Sequence, residues 1–346
     1  MNDASTHPRG PVSRRLLRTL TAAPRTDDDA ATLLRTVAEG VRTTADVVAD
    51  DDLQLALLCL YELHYRGLDG VDERWEWHPA LLGARAEIEE AFEAALRRDV
   101  TVDVEPPRGS GEAVAAALFE LTSRDTGPGL ARYVARRATP DQLRELIVHR
   151  SVYHLKEADP HSFMIPRLAG TPKSALIEIQ ADEYGGGSLE RMHSVLFART
   201  MRGLGLDDTY GAYVDHVPAI TLAWVNVMSL FGLHRRLRGA CVGHLAAFEM
   251  TSSIPCRLYG NGFRRHGFGD DVTWYFDEHV EADAVHEQIA GRDLAGALAV
   301  AEPQVQDDVV FGAATYLALD ERMSVHLMSS WERAESSLLA PVDAAA

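Results

Sequence analysis

Apolar residues recur along most of the chain at the three- and four-residue spacing that lines one face of an α-helix. The stretch from Ala30 to Val47 shows this clearly, because Leu33, Val37 and Val41 fall on one helical face. The strict alternation of apolar and polar residues that marks a half-buried strand is almost absent. With 346 residues the chain is long enough to bury a sizeable core. The pattern therefore predicts an all-α protein.

Capping residues and turn-forming residues set the expected helix boundaries. Thr139 can cap a helix, Pro140 suits its first position and Gln142 completes a capping box, so a helix should start here. We expect that helix to reach Glu157. The other predicted helices cover residues 30–47, 52–65, 79–98, 112–137 (broken near 127–129), 171–201 (crossing Gly185-Gly186-Gly187), 215–230, 234–254, 270–290 and 304–337.

The domain organisation is predicted from the non-periodic segments. Residues 1–28 mix Thr, Pro, Arg and Asp without periodicity, and we expect a mobile tail there. Segment 101–111 holds two prolines and two glycines and is the clearest loop in the chain. It predicts an N-terminal helical lobe (29–105) and a larger domain (106–337), although the same loop could join two layers of one domain. Residues 338–346 are expected to form a second tail.

The charge balance disfavours some partners. Fifty-two acidic residues against 34 lysines and arginines give a formal net charge of −18. Such a surface repels phosphate backbones and anionic lipids, so we expect neither nucleic-acid binding nor membrane binding. Three separated cysteines, no apolar leader and no membrane-length apolar run predict a cytoplasmic protein.

The sharpest candidate site is the pattern His279-x3-Asp283-x2-His286. Offsets of four and seven residues place all three side chains on one face of a helix. Two imidazoles and one carboxylate suit a transition metal such as Fe(II) or Mn(II). The competing interpretation is a solvated acidic helix face, since three glutamates lie close by in the sequence.

A second cluster holds Glu183, Glu190 and His193. Glu190-x2-His193 is the arrangement by which one helix of a carboxylate-bridged di-iron bundle supplies a bridging carboxylate and an imidazole. The glycines Gly185–Gly187 would each cost about 1 kcal/mol relative to alanine inside a helix. They suit a segment that unwinds or lets the backbone approach a ligand. A glycine-rich loop between two helices is the alternative.

Glu157 completes the set, although alone it indicates only an exposed helix terminus. Together with the two clusters it resembles the haem-oxygenase-like di-iron oxidases, or iron-containing redox enzymes, over residues 140–290. In that family one helix gives a Glu, the next gives a Glu and a His ten residues apart, and a later helix gives His-x3-Asp-x2-His. The segments Asp182-Glu-Tyr-Gly-Gly-Gly187 and Glu62-Leu-His-Tyr-Arg-Gly67 are also similar to that family.

The resemblance implies a haem-oxygenase-like helical bundle, here with an additional N-terminal lobe, that holds two iron ions. It implies six metal ligands: Glu157, Glu183, His193, His279, Asp283 and His286. Family members that oxygenate nitrogen carry one more Glu, three residues before the His, whereas members that fragment or decarboxylate aliphatic acids tend to lack it. Glu190 occupies that place and is therefore expected to be a further iron ligand and a catalytic residue.

The function implied by the resemblance is an N-oxygenase of natural-product biosynthesis. It would use two Fe(II) ions, O2 as co-substrate and an external electron donor. The expected substrate is the amine of a small amino acid, with the lysine side chain as the specific candidate and a hydroxylamine or nitro compound as product. A homodimer is left open as its assembly.

Two other functions stay open. One is a di-iron oxidase that cleaves C–C or C–H bonds of an amino or fatty acid, and the other is a non-enzymatic helical binding protein. An apolar pocket would favour cleavage of an aliphatic acid, whereas an amino-acid pocket needs paired charges. A ferritin-like bundle would use Glu249 as its fourth-helix carboxylate, but it explains neither His279 nor Glu183 and ranks well below.

Two further groups of residues are expected to be structural. Glu62 and His64 fit no single helical face, so packing at a lobe interface is preferred over a second metal site. Cys256 has no activating histidine at helical spacing and is expected to be a buried cysteine.

Overall fold

The structure is a computed structural model that describes residues 6–24, 28–124 and 129–342; of residues 28, 29 and 281–284 it describes the backbone only. Within these ranges every regular element is helical and no strand occurs, which confirms the all-α prediction. The α-helices are α1 (Pro11–Leu20), α2 (Asp28–Thr43), α3 (Asp51–Glu62), α4 (Pro79–Asp99), α5 (Gly111–Ser123), α6 (Leu130–Arg136), α7 (Pro140–His154), α8 (Asp159–Ser162), α9 (Gly170–Glu183), α10 (His193–Gly203), α11 (Ala219–Leu233), α12 (Arg238–Arg265), α13 (Asp270–Gln288), α14 (Ala297–Ala301) and α15 (Gln306–Glu332). Short 3-10 turns join several of them, and a π-helix, Ile289–Gly296, connects α13 to α14. No helix of the described ranges combines the length and the hydropathy that a membrane span requires.

Helix α7 begins at the predicted residue. The Thr139 hydroxyl accepts a hydrogen bond from the backbone N–H of Gln142 (3.3 Å), and the Gln142 side chain accepts one from the N–H of Thr139 (3.0 Å). This reciprocal cap satisfies N–H groups that the first turn of a helix leaves unpaired. The helix ends at His154, so Glu157 lies in the turn that follows rather than on the helix itself.

Helix α1 corrects the prediction of a mobile N-terminal tail. The Asp52 carboxylate accepts hydrogen bonds from the backbone N–H groups of Val12 (2.8 Å) and Ser13 (2.7 Å), which anchors the start of the helix. Val12, Leu16 and Leu20 are buried, and α1 packs against α2 and α3. Arginines on the opposite face made this short apolar face easy to overlook. Residues 1–5 and 25–27 of the predicted tail lie outside the described residues.

The predicted N-terminal lobe shares its core with the rest of the chain. Helix α3 packs against α1, α4 and α11. One continuous cluster of buried side chains runs from Val12 to Trp331. Segment 101–111 therefore joins layers of helices that pack together, and the domain boundary stays a prediction.

The central helices approach one another closely. Helix α12 packs along α13 and α15. A Cβ atom on Gly243 of α12 would overlap the backbone of Val309, and one on Gly312 of α15 would overlap that of Ala240. These two glycines let α12 and α15 cross backbone to backbone. The crossing holds α12 in place where it faces α13.

The predicted helix over residues 171–201 is wrong in its middle. Helix α9 ends at Glu183 and α10 begins at His193, with two 3-10 turns, Gly185–Gly187 and Leu189–Arg191, between them. All three glycines have positive φ (71°, 59° and 85°), the left-handed region that glycine adopts without strain. A Cβ on Gly185 would lie only 2.6 Å from the backbone nitrogen of Met192. The glycine-rich connection, the alternative interpretation, is the one observed.

Candidate metal centre

Four buried side chains from four segments converge in the interior. Glu157 follows α7, Glu183 ends α9, His193 starts α10 and His279 lies within α13, and one ligand atom from each lies within 4.8 Å of the others. Nδ1 of His193 is 2.9 Å from Oε2 of Glu183, and Nε2 of His279 is 3.5 Å from Oε1 of Glu157. The interruption of the helix between α9 and α10 allows both Glu183 and His193 to face the same point.

A second buried group is formed by Glu183, Glu249 and His286, whose ligand atoms also lie within 4.8 Å of one another. Nδ1 of His286 is 3.3 Å from Oε2 of Glu249. Glu183 belongs to both groups, which is the position of a carboxylate that bridges two metal ions. Glu249 comes from α12; the sequence suggested it only for a ferritin-like bundle, and the structure places it beside His286.

Two residues that sequence reasoning missed orient the histidines. Nδ1–H of His279 donates to the backbone carbonyl of Tyr275 (2.7 Å), and the Tyr275 hydroxyl donates to both oxygens of Glu157 (2.8 and 3.1 Å). Nε2 of His286 lies 3.0 Å from Oδ2 of Asp182. A hydrogen bond at one ring nitrogen fixes the tautomer and leaves the other nitrogen for a metal. The available signals were small: Tyr275 lies one turn before His279, and Asp182 precedes Glu183.

The electrostatics of the first group favour an ionised carboxylate. Burial raises the pKa of Glu157, but the nearby His154, His279 and His193 outweigh burial and lower that pKa to about 2. Glu157 is almost fully buried, so its negative charge is held inside the protein by imidazoles and by the Tyr275 hydroxyl, with no permanent cation beside it among the described residues. Buried charges persist in proteins when they are paired or coordinate a metal.

In the second group, burial and a like charge oppose the ionisation of a carboxylate. Burial and the charge of Glu183 raise the pKa of Glu249, although the hydrogen bond with His286 opposes them. Burial lowers the pKa of His286, but Glu249 and Asp182 outweigh it and raise that pKa to about 10. Without a metal, a proton on His286 compensates carboxylates that lie too close together. A metal cation could take the place of that proton.

The residues present fit iron. Nδ1 of His193 is buried and makes no hydrogen bond within the described residues, even though Glu183 is near. In the tautomer that carries its proton on Nε2, this nitrogen has a lone pair for coordination. Three carboxylates with three imidazoles form the oxygen and nitrogen donor set that suits Fe(II) and Mn(II).

Five of the seven predicted metal residues meet in the two groups: Glu157, Glu183, His193, His279 and His286. Asp283 lies in α13 between two of them, but its side chain falls outside the described residues. Glu190 does not join either group, because it is exposed in the turn Leu189–Arg191. The broken helix is the reason: the expected one-turn offset between Glu190 and His193 does not exist. The ligand roles themselves stay predictions.

A cavity of about 1150 Å³ reaches Glu157 and His279 from the side of α12 and α15. Residues 250–256 of α12 line it, and Pro255 stands inside that helix. Proline has no N–H, so the carbonyl of Thr251 lacks its helical hydrogen bond beside the cavity. Cys256 lines the same wall and is largely buried, as expected.

The comparison with known proteins agrees with this geometry. The sequence model of the family described as iron-containing redox enzymes matches residues 144–321, just over half of the chain and the part that holds both ligand groups. Nitrosourea synthase of Streptomyces achromogenes subsp. streptozoticus is 30% identical over 169 residues, which are 48% of this chain and 36% of that protein. The chain thus spans about a third of that relative's length. An all-α fold, a buried cluster of carboxylates and histidines and the family match together show that the chain belongs to the haem-oxygenase-like family of iron-containing redox enzymes.

Proposed function

We propose that this protein is a non-haem di-iron oxygenase that uses O2 to oxygenate the amine nitrogen of a small amino-acid-type substrate. The observation that carries the proposal is Glu183, which is shared by two buried groups of ligand residues. A shared carboxylate with imidazoles on both sides is how helical proteins hold two metal ions. The family supplies the choice of iron.

The proposed ligand sets follow from the two groups. Glu157, His193 and His279 would hold one iron, Glu249 and His286 would hold the other, and Glu183 belongs to both groups. Asp283 is proposed for the second iron because of its place in the His279 to His286 pattern. When bound, the two irons supply O2 activation and the electrons that go with it. The protein orients the imidazoles through Tyr275 and Asp182.

Water exclusion is the second task of the chain's own residues. Phe197 and Phe248 line the cavity beside the ligands, and Phe197 is buried against Tyr275 with ring centroids 5.1 Å apart. Apolar walls strengthen electrostatic interactions at the centre and limit side reactions with water. They also leave the cavity as the route by which a substrate amine approaches Glu157 and His279.

Glu190 remains in the proposal as a ligand that joins the centre on metal binding. Its support is the resemblance to nitrogen-oxygenating family members, together with the three glycines that precede it. Glycine adopts left-handed and right-handed conformations about equally well, so segment 185–191 can change its path at low cost. The proposal requires this change, since the Glu190 side chain is exposed in the structure.

Two observations favour nitrogen oxidation over cleavage of a fatty acid. The relative's name denotes formation of a nitrosourea, a compound that contains an oxidised nitrogen. The cavity wall carries a charged pair, Arg150 and Asp320, as an amino-acid pocket needs. The proposed partners are a small amine, with lysine as the specific candidate, and an external electron donor.

Anaerobic loading with Fe(II) followed by exposure to O2 tests this function. We expect about two Fe(II) per chain, measured by colorimetric iron assay, and a mass gain of one or two oxygens on a long-chain amino acid, detected by mass spectrometry. The panel should contain L-lysine, L-arginine and decanoic acid. Loss of carbon from any of these, or iron binding well below two per chain, would contradict the proposal.

A further inference from the structure

We propose that Arg150 and Asp320 bind the carboxylate and the ammonium group on the α-carbon of the substrate. The cavity then selects a free amino acid and directs the far end of its side chain towards the metal centre. This inference rests on the proposed function for its substrate class. It assigns the residues that recognise the amino acid, which neither the metal ligands nor the family match identify.

The two residues face each other across the cavity wall. Arg150 comes from α7 and Asp320 from α15, and Nη2 of Arg150 donates to Oδ1 of Asp320 over 3.3 Å. Both line the cavity, and 13% of the Arg150 side chain and 30% of the Asp320 side chain remain exposed. The guanidinium of Arg150 lies over the Trp224 ring, 4.9 Å from its centroid. Stacking covers one face of the guanidinium and leaves its edge for hydrogen bonds.

The pair differs from an ion pair that only stabilises the fold. Arg238, by comparison, contacts Glu302 through both Nε and Nη2 and donates to the Arg235 carbonyl through Nη1. Arg150 instead makes one long contact with its acid, although guanidinium has five donors that can bind a carboxylate in a bidentate manner. Both partners in the cavity therefore retain capacity for a ligand.

The spacing of the pair matches the substrate's own charges. The ammonium and carboxylate of an α-amino acid are attached to the same carbon, so complementary groups must also be neighbours, as Arg150 and Asp320 are. A fatty acid would match Arg150 but would place its alkyl chain beside Asp320, whose charge would lose water without gaining a partner. The pair thus favours a zwitterion over a simple acid.

The position of Arg150 along α7 sets the length of the substrate. Arg150, His154 and Glu157 all line the cavity; Arg150 and His154 lie four residues apart on α7, roughly 6 Å along its axis, and Nε2 of His154 is 3.9 Å from Oε1 of Glu157. An extended lysine side chain places its amine roughly 6 Å from the α-carbon by standard bond lengths. The reach of the guanidinium and of the metal ligands covers the remainder. An amino acid with a long, nitrogen-terminated side chain can therefore span from Arg150 to the centre, whereas a short one cannot.

The decisive experiment measures binding to the metal-free protein by isothermal titration calorimetry. The probes are L-lysine, L-arginine, cadaverine (lysine without its carboxylate), 6-aminohexanoate (lysine without its α-ammonium) and decanoate. We expect L-lysine or L-arginine to bind at least roughly tenfold more tightly than any of the other three, since each of those leaves one charged group of the pair unmatched. Equal binding of L-lysine and cadaverine, or preference for decanoate, would overturn the inference.

Variants locate the effect on the pair. Arg150→Gln should weaken binding of the better amino acid at least roughly tenfold and leave cadaverine unchanged, while Asp320→Asn should do so and leave 6-aminohexanoate unchanged. Arg322→Gln on α15, which pairs with Asp46 outside the cavity, is the matched control and should bind like the wild type. Unchanged amino-acid binding by both cavity variants would overturn the assignment. Because the comparison of probes uses the wild-type protein, the inference is tested even where a variant fails to fold.

The outcome is separable from that of the proposed function. Tight amino-acid binding with less than two irons per chain would leave the recognition site standing and contradict the di-iron centre. Two irons per chain without selective amino-acid binding would overturn the recognition site and leave the centre standing.

Discussion

Lys156 and Glu157 are consecutive in the sequence, and each belongs to a different buried group of acidic side chains. The two groups differ in what compensates their negative charge. On one side Glu62 forms a buried ion pair with Lys156 and accepts a hydrogen bond from the Tyr210 hydroxyl (2.6 Å). On the other side Glu157 shares its group with Glu183 and two histidines. The chain supplies a permanent cation to Glu62, whereas Glu157 is faced by imidazoles and by the Tyr275 hydroxyl.

The difference distinguishes a structural ion pair from a candidate metal site. A buried carboxylate is costly unless it is paired, and the lysine pairs with Glu62 within the chain itself. The imidazoles opposite Glu157 can act as neutral ligands, and in the proposed function a metal cation completes that region. The segment Glu62-Leu-His-Tyr-Arg-Gly67 is thereby explained as an anchor for the ligand-bearing turn: Arg66 donates to the Leu155 carbonyl (3.0 Å), and Lys156 lies 4.2 Å from the Tyr65 ring centroid.

The largest expected effect tests the metal side of the comparison. His279→Ala and His286→Ala should each lose at least one of about two Fe(II) ions and abolish oxygenated product, because each removes an imidazole from a different ligand group. Iron per chain measured after anaerobic loading checks this. His266→Ala is the control, since that histidine donates to the Ala138 carbonyl away from the centre. Two irons retained by both site variants would show that these histidines are not ligands.

The next-largest expected effect tests the buried ion pair between Glu62 and Lys156. Lys156→Met leaves Glu62 buried without its cation, and we expect the free energy of unfolding to fall by about 3–5 kcal/mol. Urea denaturation of the metal-free protein measures this. The double variant Glu62→Gln/Lys156→Met removes both charges and should recover most of the loss. A single-variant loss below about 1 kcal/mol, as at a surface pair, would mean that the pair does not anchor the turn.

A smaller effect is expected in the glycine connection that precedes His193. Gly185→Ala and Gly187→Ala both place a side chain at positive φ, which costs about 1–3 kcal/mol. Gly185→Ala should cost more stability, because its Cβ would meet the Met192 backbone, whereas a Cβ at position 187 would have no neighbour within 4 Å. Urea denaturation of the two variants compares them directly. Equal losses would show that the close approach at Gly185 is relieved by movement of the connection.

Much of this molecule could be predicted from its sequence, for physical reasons. Helical spacing and the capping residues at Thr139 gave the helices, since both are local signals. The shared helix face of His279 and His286 was predictable because two turns of one helix present one face. The places of Glu249 beside His286 and of Asp320 beside Arg150 were not, because they depend on how α12 and α15 pack against other helices, which no local pattern records.

The path through Glu183 and His193 was mispredicted for a different reason. A helix and a glycine-rich connection satisfy the same spacing on paper, and three consecutive glycines decide between them through backbone conformation. Alanine at those positions would have favoured the continuous helix. The consequence falls on Glu190, whose placement on the His193 face depended on that helix.

The last and smallest expected effect concerns Glu190. It decides whether segment 185–191 keeps one conformation or changes it on metal binding. If Glu190 stays exposed throughout, Glu190→Gln should behave like Glu178→Gln, a change at an exposed glutamate of α9. If it joins the centre, the substitution removes a negative charge where screening is weak. We expect Glu190→Gln to keep nearly all of its Fe(II), because the residues of both ligand groups remain. Its yield of N-oxygenated product should fall at least roughly tenfold, about 1.4 kcal/mol in barrier, while Glu178→Gln stays at the wild-type level.

Single-turnover product measured by mass spectrometry on iron-loaded protein makes the comparison independent of the electron donor. Near-wild-type product from Glu190→Gln would place that residue with the scaffold, and would move the preferred chemistry towards cleavage of C–C or C–H bonds.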